Sequence, residues 1–152
     1  MSIEQAYNFR RVSDSLATSG RVEPEQLAEL RAEGIEVVIN LLPHSSTYAV
    51  TGERQMVEGQ GIEYLYLPVD FAAPRVEDYE QFGKLMARAG ERNLLIHCAA
   101  NYRVSAFYSR YAIATGRWST AEADDFMLSI WQPAEHEPWP QWLAAVMSQH
   151  SP

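Results

Sequence analysis

The sequence predicts an α/β fold in which a mostly parallel central sheet is flanked by helices. Three short apolar runs, rich in β-branched residues, have the composition of strands that are buried on both faces. Segments with helical periodicity separate and follow these runs, so strands and helices alternate along the chain. A chain of 152 residues is long enough to bury a substantial core, and we expect residues 1–152 to form one domain.

The three predicted strands lie at residues 35–42, 62–69 and 93–98. The first, IEVVINLL, ends at Pro43, and the last, NLLIHC, contains the only cysteine of the chain. Each run is apolar almost throughout instead of alternating, which is typical of a strand covered on both sides. The earlier stretch SDSLATSG, at 13–20, contains several serines and is predicted to be a turn region around a short apolar core.

Six segments carry helix signals, and they lie at 23–34, 51–61, 75–90, 103–116, 119–131 and 138–150. Pro24 in a first turn, Gly34 as a stop and Ser119 as a cap are the usual punctuation of helix ends. The segment at 75–90 places a set of apolar side chains on one helical face: Val76, Tyr79, Phe82, Leu85, Met86 and Ala89. That face should pack against the sheet.

Composition and charge exclude several classes of function. The net charge of −8 argues against nucleic acid and anionic membranes as partners. No apolar run reaches the roughly 18–20 residues that span a bilayer, and the N-terminus lacks the apolar core of a secretory signal; we expect a cytoplasmic, bacterial protein. One cysteine excludes an internal disulfide, and His44, His136 and His150 have no metal-binding spacing, so no metal or cofactor is expected. The sequence carries no signal for a particular oligomeric state.

The stretch LLIHCAANYRVSAF, at 94–107, carries the clearest functional signal. His97 and Cys98 end a predicted strand, and a short loop leads into a predicted helix. The first amides of a helix have no internal partner and carry about half a positive charge. A cysteine in that field ionises easily, and Arg103 adds a planar, two-pronged donor for two oxygens. We expect Cys98, the amides of residues 99–103 and Arg103 to form one anion-binding unit.

This stretch resembles the phosphate loop of cysteine-dependent phosphatases, in which His-Cys is followed by five residues, arginine and serine or threonine. The resemblance covers residues 10–116, through VSDSLATSGRVEPEQLAELRAEGIEVVINLLP and LPVDFAAP. More specifically, the sequence resembles a bacterial phosphatase-like domain that was first catalogued as a domain of unknown function. It implies a dual-specificity-phosphatase-like fold and hydrolysis of a phosphate monoester through a cysteinyl-phosphate intermediate, with a phosphate ester or another oxyanion as ligand and no cofactor.

The resemblance also implies a role for each site residue. Cys98 would be the nucleophile, Arg103 would hold the phosphate oxygens, and Asp70 would be the general acid. Ser105 would donate a hydrogen bond to the thiolate, and His97 would hold the loop by hydrogen bonds from behind. The backbone of the loop would bind the anion through four residues: Ala99, Ala100, Asn101 and Tyr102.

The loop departs from the phosphatase pattern in length. Four residues instead of five separate Cys98 from Arg103, none is glycine, and Val104 occupies the usual arginine position. Either the loop is tighter and Arg103 still holds the anion, or the arginine has slipped out of register; Asn101 is suited to a left-handed backbone where glycine is missing. The shorter loop keeps two other functions open, a noncatalytic oxyanion-binding pseudophosphatase and a rhodanese-like sulfurtransferase. The structural alternative is that Cys98 is an inert core thiol and Asp70 only caps a turn.

Overall fold

The computed structural model describes residues 1–149 and contains a five-stranded sheet with the order β1-β2-β5-β3-β4. The strands are β1 (Arg10–Ser13), β2 (Leu16–Ser19), β3 (Val37–Asn40), β4 (Glu63–Tyr66) and β5 (Leu94–His97). Strands β2, β5, β3 and β4 run parallel, and β1 pairs antiparallel with β2. The expected mostly parallel sheet is confirmed, and the three predicted strands are its β3, β4 and β5.

The prediction of a turn region at residues 13–20 was wrong in part. Only residues 14–15 form a turn, and β2 occupies the residues that follow. Thr18 and Ser19 are fully buried in this strand. Their hydroxyls donate to backbone carbonyls, at 3.3 Å from Thr18 Oγ1 to Arg10 O and 3.0 Å from Ser19 Oγ to Gly20 O. Because these polar side chains are satisfied internally, the strand is buried without the apolar run that identified the other three.

Six α-helices within residues 1–149 flank the sheet, and each corresponds to a predicted segment. They are α1 (Pro24–Leu27), α2 (Glu53–Glu58), α3 (Val76–Ala89), α4 (Tyr102–Ala114), α5 (Thr120–Leu128) and α6 (Trp139–Ser148). Helix α1 is much shorter than predicted, since turns follow Leu27. His150, at the end of the last predicted segment, lies outside the described residues.

The sheet separates two apolar cores. On one face, Val37, Ile39 and Ile96 pack with Phe82 of α3 and Phe107 of α4. The other face buries a second set: Ala17, Val38, Leu95, Leu27, Leu30 and Val57. Burial on both faces explains why the parallel strands appear as continuous apolar runs. No helix within residues 1–149 is long and apolar enough to cross a membrane.

The strand order places the functional end of the molecule. Parallel strands end at the same edge of the sheet, and ligands of open α/β sheets bind outside that edge. β5 lies between β2 and β3, so Cys98, which follows it directly, emerges at the middle of this edge. The segments after β2, β3 and β4 surround it there.

Candidate active site

Cys98 lies between the end of the central strand and the start of a helix, as the sequence predicted. Its side chain is fully buried, and its amide donates to Ser19 O at 3.3 Å. Helix α4 begins at Tyr102 with Asn101 as its N-cap. Asn101 has a φ of 67°, so it adopts the left-handed backbone expected of an asparagine that replaces glycine.

The carbonyl groups of the cysteine loop, residues 98–101, are fixed on its outer side. Ala99 O accepts from the Arg21 amide at 2.8 Å, and Ala100 O accepts from Asn8 Nδ2 at 3.0 Å. In a trans peptide the N–H points opposite to the C=O, so the amides that follow these carbonyls point to the other side. Across residues 1–149, the amides of residues 99–102 have no acceptor. The loop therefore presents free donors where an anion would lie.

The outer side of the loop packs against the end of β2. A Cβ atom on Gly20 would lie 2.8 Å from Ala99 O and 2.9 Å from the Ala100 Cα. Only glycine allows this close approach of two backbones. The Asn101 Nδ2 donates to Thr18 Oγ1 at 3.0 Å and to a carbonyl of the N-terminal segment at 2.9 Å. These contacts fix the loop conformation from behind.

Arg103 faces a cavity that it lines together with Ala99 and Ala100. The cavity has a volume of about 310 Å³. Nη1 of Arg103 donates to Val69 O at 2.9 Å, and the guanidinium carbon lies 5.6 Å from the centre of the Phe71 ring. Val104 is fully buried in the core. Since Arg103 and not Val104 faces the cavity, the geometry favours the tighter loop over the slipped register.

The rest of the cavity wall is mainly aromatic, and its further lining residues are Ser46, Tyr48, Phe71, Tyr102 and His136. The Tyr102 ring stacks on Trp131, with ring centres 4.7 Å apart. His136 comes from the connection between α5 and α6 and lies 5.8 Å from the Phe71 ring, centre to centre. No spacing in the sequence links His136 to Cys98, so only the fold brings it to the site.

The hydroxyl of Ser105 has other partners here than the thiolate expected from the sequence. Its hydroxyl donates to Tyr102 O at 3.0 Å and accepts from Trp131 Nε1 at 3.0 Å. A serine hydroxyl has one proton, and here it is given to a carbonyl instead of the sulfur of Cys98. Ser105 thus ties the first turn of α4 to Trp131.

His97 is a buried support of the strand end, but its partner differs from the one expected. Its Nε2 donates to Glu53 Oε2 on α2 at 2.7 Å, so the ring bonds to a helix and not to the loop. Tyr64 OH donates to the same oxygen at 3.0 Å. Burial alone would raise the pKa of the Glu53 carboxyl, but the charge and hydrogen bond of His97 and the hydrogen bond from Tyr64 bring that pKa below its usual value.

This buried network continues across the strand ends. The Tyr64 hydroxyl accepts from Asn40 Nδ2 at 2.8 Å and from His44 Nε2 at 3.0 Å. Burial, together with the nearby Glu53 carboxylate, raises the pKa of Tyr64, so its proton stays on the oxygen that donates to Glu53. Side chains of β3, β4 and β5 are joined in this way next to Cys98. No sequence pattern points to Glu53, which lies in an ordinary helical segment.

Asp70 lies at the rim of the site and is exposed. Its Oδ1 accepts from the Ala72 amide at 2.9 Å, so the carboxylate caps a turn of its own loop, and the cavity lining does not include it. Its neighbours Val69 and Phe71 are the residues that Arg103 contacts. Asp70 is therefore one residue away from the cavity wall.

Three buried side-chain atoms in residues 1–149 have no hydrogen-bond partner: His97 Nδ1, Asn101 Oδ1 and Arg103 Nε. All three lie within the stretch around Cys98. Most buried polar atoms in proteins are hydrogen-bonded, so each exception requires an explanation, and a role in a functional site is one. Nowhere in the described chain do three or more His, Cys, Asp or Glu side chains come together to hold a metal ion.

A comparison with solved structures found a candidate phosphatase of the DUF442 family from Shewanella putrefaciens CN-32, which is 32% identical to this chain. The match covers 99% of this chain and 97% of that one, with a TM-score of 0.87. The chain belongs to the DUF442 family. The resemblance seen in the sequence is thereby confirmed at the level of the family.

Two more distant structures share the fold. TpbA of P. aeruginosa is 17% identical over 95% of this chain and 89% of its own, with a TM-score of 0.73. The core catalytic domain of the PP-IP phosphatase SIW14 of S. cerevisiae, seen in complex with citrate, is 14% identical over 91% and 85%, with a TM-score of 0.73. Both likenesses concern the fold, and the dual-specificity-phosphatase-like fold is confirmed. Comparisons with models of protein families and with curated proteins found no match.

Proposed function

We propose that this protein hydrolyses a phosphate monoester through a cysteinyl-phosphate intermediate on Cys98. The observation that carries the proposal is the set of unpaired donors at the cysteine loop: the amides of residues 99–102 and the buried Nε of Arg103. A phosphoryl group has three equatorial oxygens that accept hydrogen bonds of this kind. Donors that are fixed before the substrate arrives stabilise the charge that develops in the transition state.

The reaction has two steps. The Cys98 thiolate attacks phosphorus, so an S–P bond forms while the bond from phosphorus to the ester oxygen breaks. The leaving oxygen takes the proton of Asp70. Water then attacks the phosphocysteine and gives a proton to the Asp70 carboxylate, which releases inorganic phosphate and the thiolate. Arg103 and the loop amides hold the equatorial oxygens in both steps.

Arg103 is suited to this role because its position is set by two contacts. Val69 O accepts from Nη1 at 2.9 Å, and the ring of Phe71 lies under the guanidinium. The remaining N–H groups are free to bind two oxygens of one phosphoryl group. Both contacts come from the loop that carries Asp70, so the arginine ties the nucleophile side of the site to the acid side.

A second candidate is a noncatalytic module that binds oxyanions. Two observations favour it: the Cys98 side chain is fully buried, and the Asp70 carboxylate is exposed and bonded to the Ala72 amide. Catalysis by Asp70 requires that its carboxylate leave this turn and reach the leaving oxygen. An anion site without that movement would bind phosphate and release it unchanged.

Mass spectrometry of the intact protein separates these functions. The protein is mixed with 4-nitrophenyl phosphate, quenched in acid within a turnover and compared with the Cys98→Ser variant. A phosphate adduct on the wild type that is missing from the variant is the expected result. Turnover that persists in Cys98→Ser would contradict the proposal, and phosphate binding without adduct or turnover would establish the noncatalytic module. A persulfide after incubation with thiosulfate would indicate sulfur transfer instead.

A further inference from the structure

Arg21 is unlike every other arginine of the chain. The chain has eleven arginines. Ten of them donate to a carboxylate, a carbonyl or a hydroxyl. Within residues 1–149, the guanidinium of Arg21 has neither a hydrogen-bond acceptor nor an ion-pair partner. In a chain with 20 acidic residues, one uncompensated arginine is conspicuous.

The side chain of Arg21 is nevertheless held in place. Its guanidinium carbon lies 4.4 Å from the centre of the Tyr7 ring and 5.2 Å from that of Tyr48. Both rings are themselves exposed, by 46% and 54% respectively. Contact with aromatic faces restrains a guanidinium while its N–H edges stay free to donate. Arg21 is therefore a positioned cation with unused donors.

Arg21 stands directly beside the cysteine loop. Its backbone amide donates to Ala99 O at 2.8 Å. Its side chain lines a second cavity, of about 560 Å³, together with Thr47, Tyr48 and Thr51. Tyr48 also lines the cavity of the cysteine loop, so the two cavities share a wall. A ligand seated on the loop could extend past Tyr48 to reach Arg21.

The chemistry of the second cavity suits an anion. Arg21 is its one cation, and the hydroxyls of Thr47 and Thr51 are further donors. Glu23 also lines it, but no oxygen of Glu23 lies within ion-pair distance of Arg21. The planar fork of arginine matches a carboxylate or a phosphate.

We propose that Arg21, held by Tyr7 and Tyr48, forms a second anion subsite beside the cysteine loop. The natural substrate is then a phosphate ester that carries a further anionic group, a carboxylate or a second phosphate. This inference rests on the proposed function, because it takes the cysteine loop to be the seat of the scissile phosphate.

Calorimetry in the Cys98→Ser background tests the subsite without turnover. The ligands are phenyl phosphate, its three carboxyphenyl isomers and the three phenylene bisphosphates. At least one of the doubly anionic ligands should bind about tenfold more tightly than phenyl phosphate, as a charge-assisted hydrogen bond implies. The series that shows the larger preference identifies the second group as carboxylate or phosphate.

Two further variants test whether Arg21 causes the tighter binding of the doubly anionic ligands. Arg21→Gln should bring the ratio of affinities close to one, and Arg21→Lys should keep only part of it because lysine lacks the fork. Lys84→Gln, which removes a charge from the exposed face of α3, should retain the full ratio. Equal binding of all ligands, or a preference that survives Arg21→Gln, would overturn the subsite while leaving the cysteine loop as the phosphate site. If no phosphate ester binds at all, the proposed function fails as well.

Discussion

Two of the loops that border the cavity are held in different ways. The cysteine loop is fixed through its own backbone, since Cys98 N, Ala99 O and Ala100 O all bond to the N-terminal segment or the end of β2. The loop of Asp70, residues 68–74, has one backbone bond to the end of β3, from Val69 N to Leu41 O at 3.0 Å, and is otherwise held by side chains from the other half of the chain. Trp139 Nε1 donates to Phe71 O at 2.9 Å, and Arg103 donates to Val69 O.

The two loops also differ in which polar groups they leave available to a ligand. In the cysteine loop the carbonyls of Ala99 and Ala100 are bonded and the amides of residues 99–102 are not, which leaves these amides available to an anion. In the Asp70 loop the carbonyls on both sides of Asp70 are bonded to other segments, but its exposed carboxylate bonds only to the Ala72 amide of the same loop. Under the proposed function, the nucleophile side is therefore preorganised, whereas the acid side has a fixed backbone and an exposed carboxylate that is bonded within its own loop. Four substitutions test this contrast.

The largest effect is expected where the cysteine loop rests on the buried network. Glu53→Ala leaves His97 Nε2 and Tyr64 OH buried without their acceptor, so the free energy of unfolding should fall by about 3–5 kcal/mol. Urea denaturation at neutral pH measures the change. Glu58→Ala on the same helix, whose exposed carboxylate pairs with Arg54 at 3.5 Å, should change the stability by about 0.5 kcal/mol or less.

The same pair of variants has a defined pH dependence. The pKa of Glu53 is below its usual 4.5 in the folded protein, so its ionised form stabilises the fold above that value. This contribution is lost as the pH falls through the lowered pKa. The stability difference between wild type and Glu53→Ala should therefore shrink below about pH 4.5. A difference that grows on acidification would show that Glu53 is not held as a carboxylate.

Asp70→Asn tests the acid side of the contrast. Loss of a general acid lowers turnover by roughly 10²-fold or more for a poor leaving group such as phenol. A good leaving group such as dinitrophenol needs no proton, so its turnover should fall far less. The measurement is kcat/KM for the two aryl phosphates. Equal losses for both would remove Asp70 from the proton transfer, and Asp14→Asn, in the exposed β1–β2 turn, should change neither.

Gly20→Ala disturbs the cysteine loop from behind. The added Cβ would lie within 2.9 Å of two loop atoms, so backbone must move, and we expect about 1–3 kcal/mol of destabilisation together with weaker phosphate binding. Gly83→Ala is the matched control, because a Cβ there meets nothing within 4 Å. In helix α3 it should stabilise the protein by about 0.5–1 kcal/mol. Thermal unfolding and calorimetry with phosphate compare the two variants. If Gly20→Ala has the stability and phosphate affinity of the wild type, the loop is not rigidly held from behind.

Arg103→Lys has the smallest expected effect. Lysine keeps the charge, but it loses the two-pronged contact with the anion. Phosphate or vanadate should bind about tenfold more weakly, which corresponds to about 1.4 kcal/mol. Arg117→Lys, at an exposed position, is the control. Affinities equal to that of the wild type would exclude Arg103 as the residue that holds the oxyanion.

Much of this fold follows from pattern alone. Strands β3, β4 and β5 are apolar runs, and α3 has one apolar face, so burial specified their type and approximate position. Strand β2 was missed because Thr18 and Ser19 are buried but polar, and their partners are set by the fold. Helix α1 is short because the chain after Leu27 continues in turns despite a helical composition.

The residues of the site also divide into those that the sequence predicts and those that it does not. Cys98, Arg103 and the left-handed Asn101 could be predicted, because a strand, a short loop and a helix follow one another directly in sequence. Glu53 and Asn8 could not, since each acts on a residue far along the chain. Asn8 lies 92 residues from Ala100, and Glu53 lies 44 residues from His97. A single sequence carries no signal for such long-range pairs.

The position of β5 has a consequence for how this site comes into being. β5 is central in the sheet but last among the strands in chain order. Until residues 94–97 dock, β2 and β3 each expose a parallel edge with unpaired N–H and C=O groups. The cysteine loop acquires its backing only in that insertion, when strands that are distant in sequence close around one another, a step that is slow for nonlocal topologies. The backing of the cysteine loop and the closure of the sheet thus depend on the same insertion of β5.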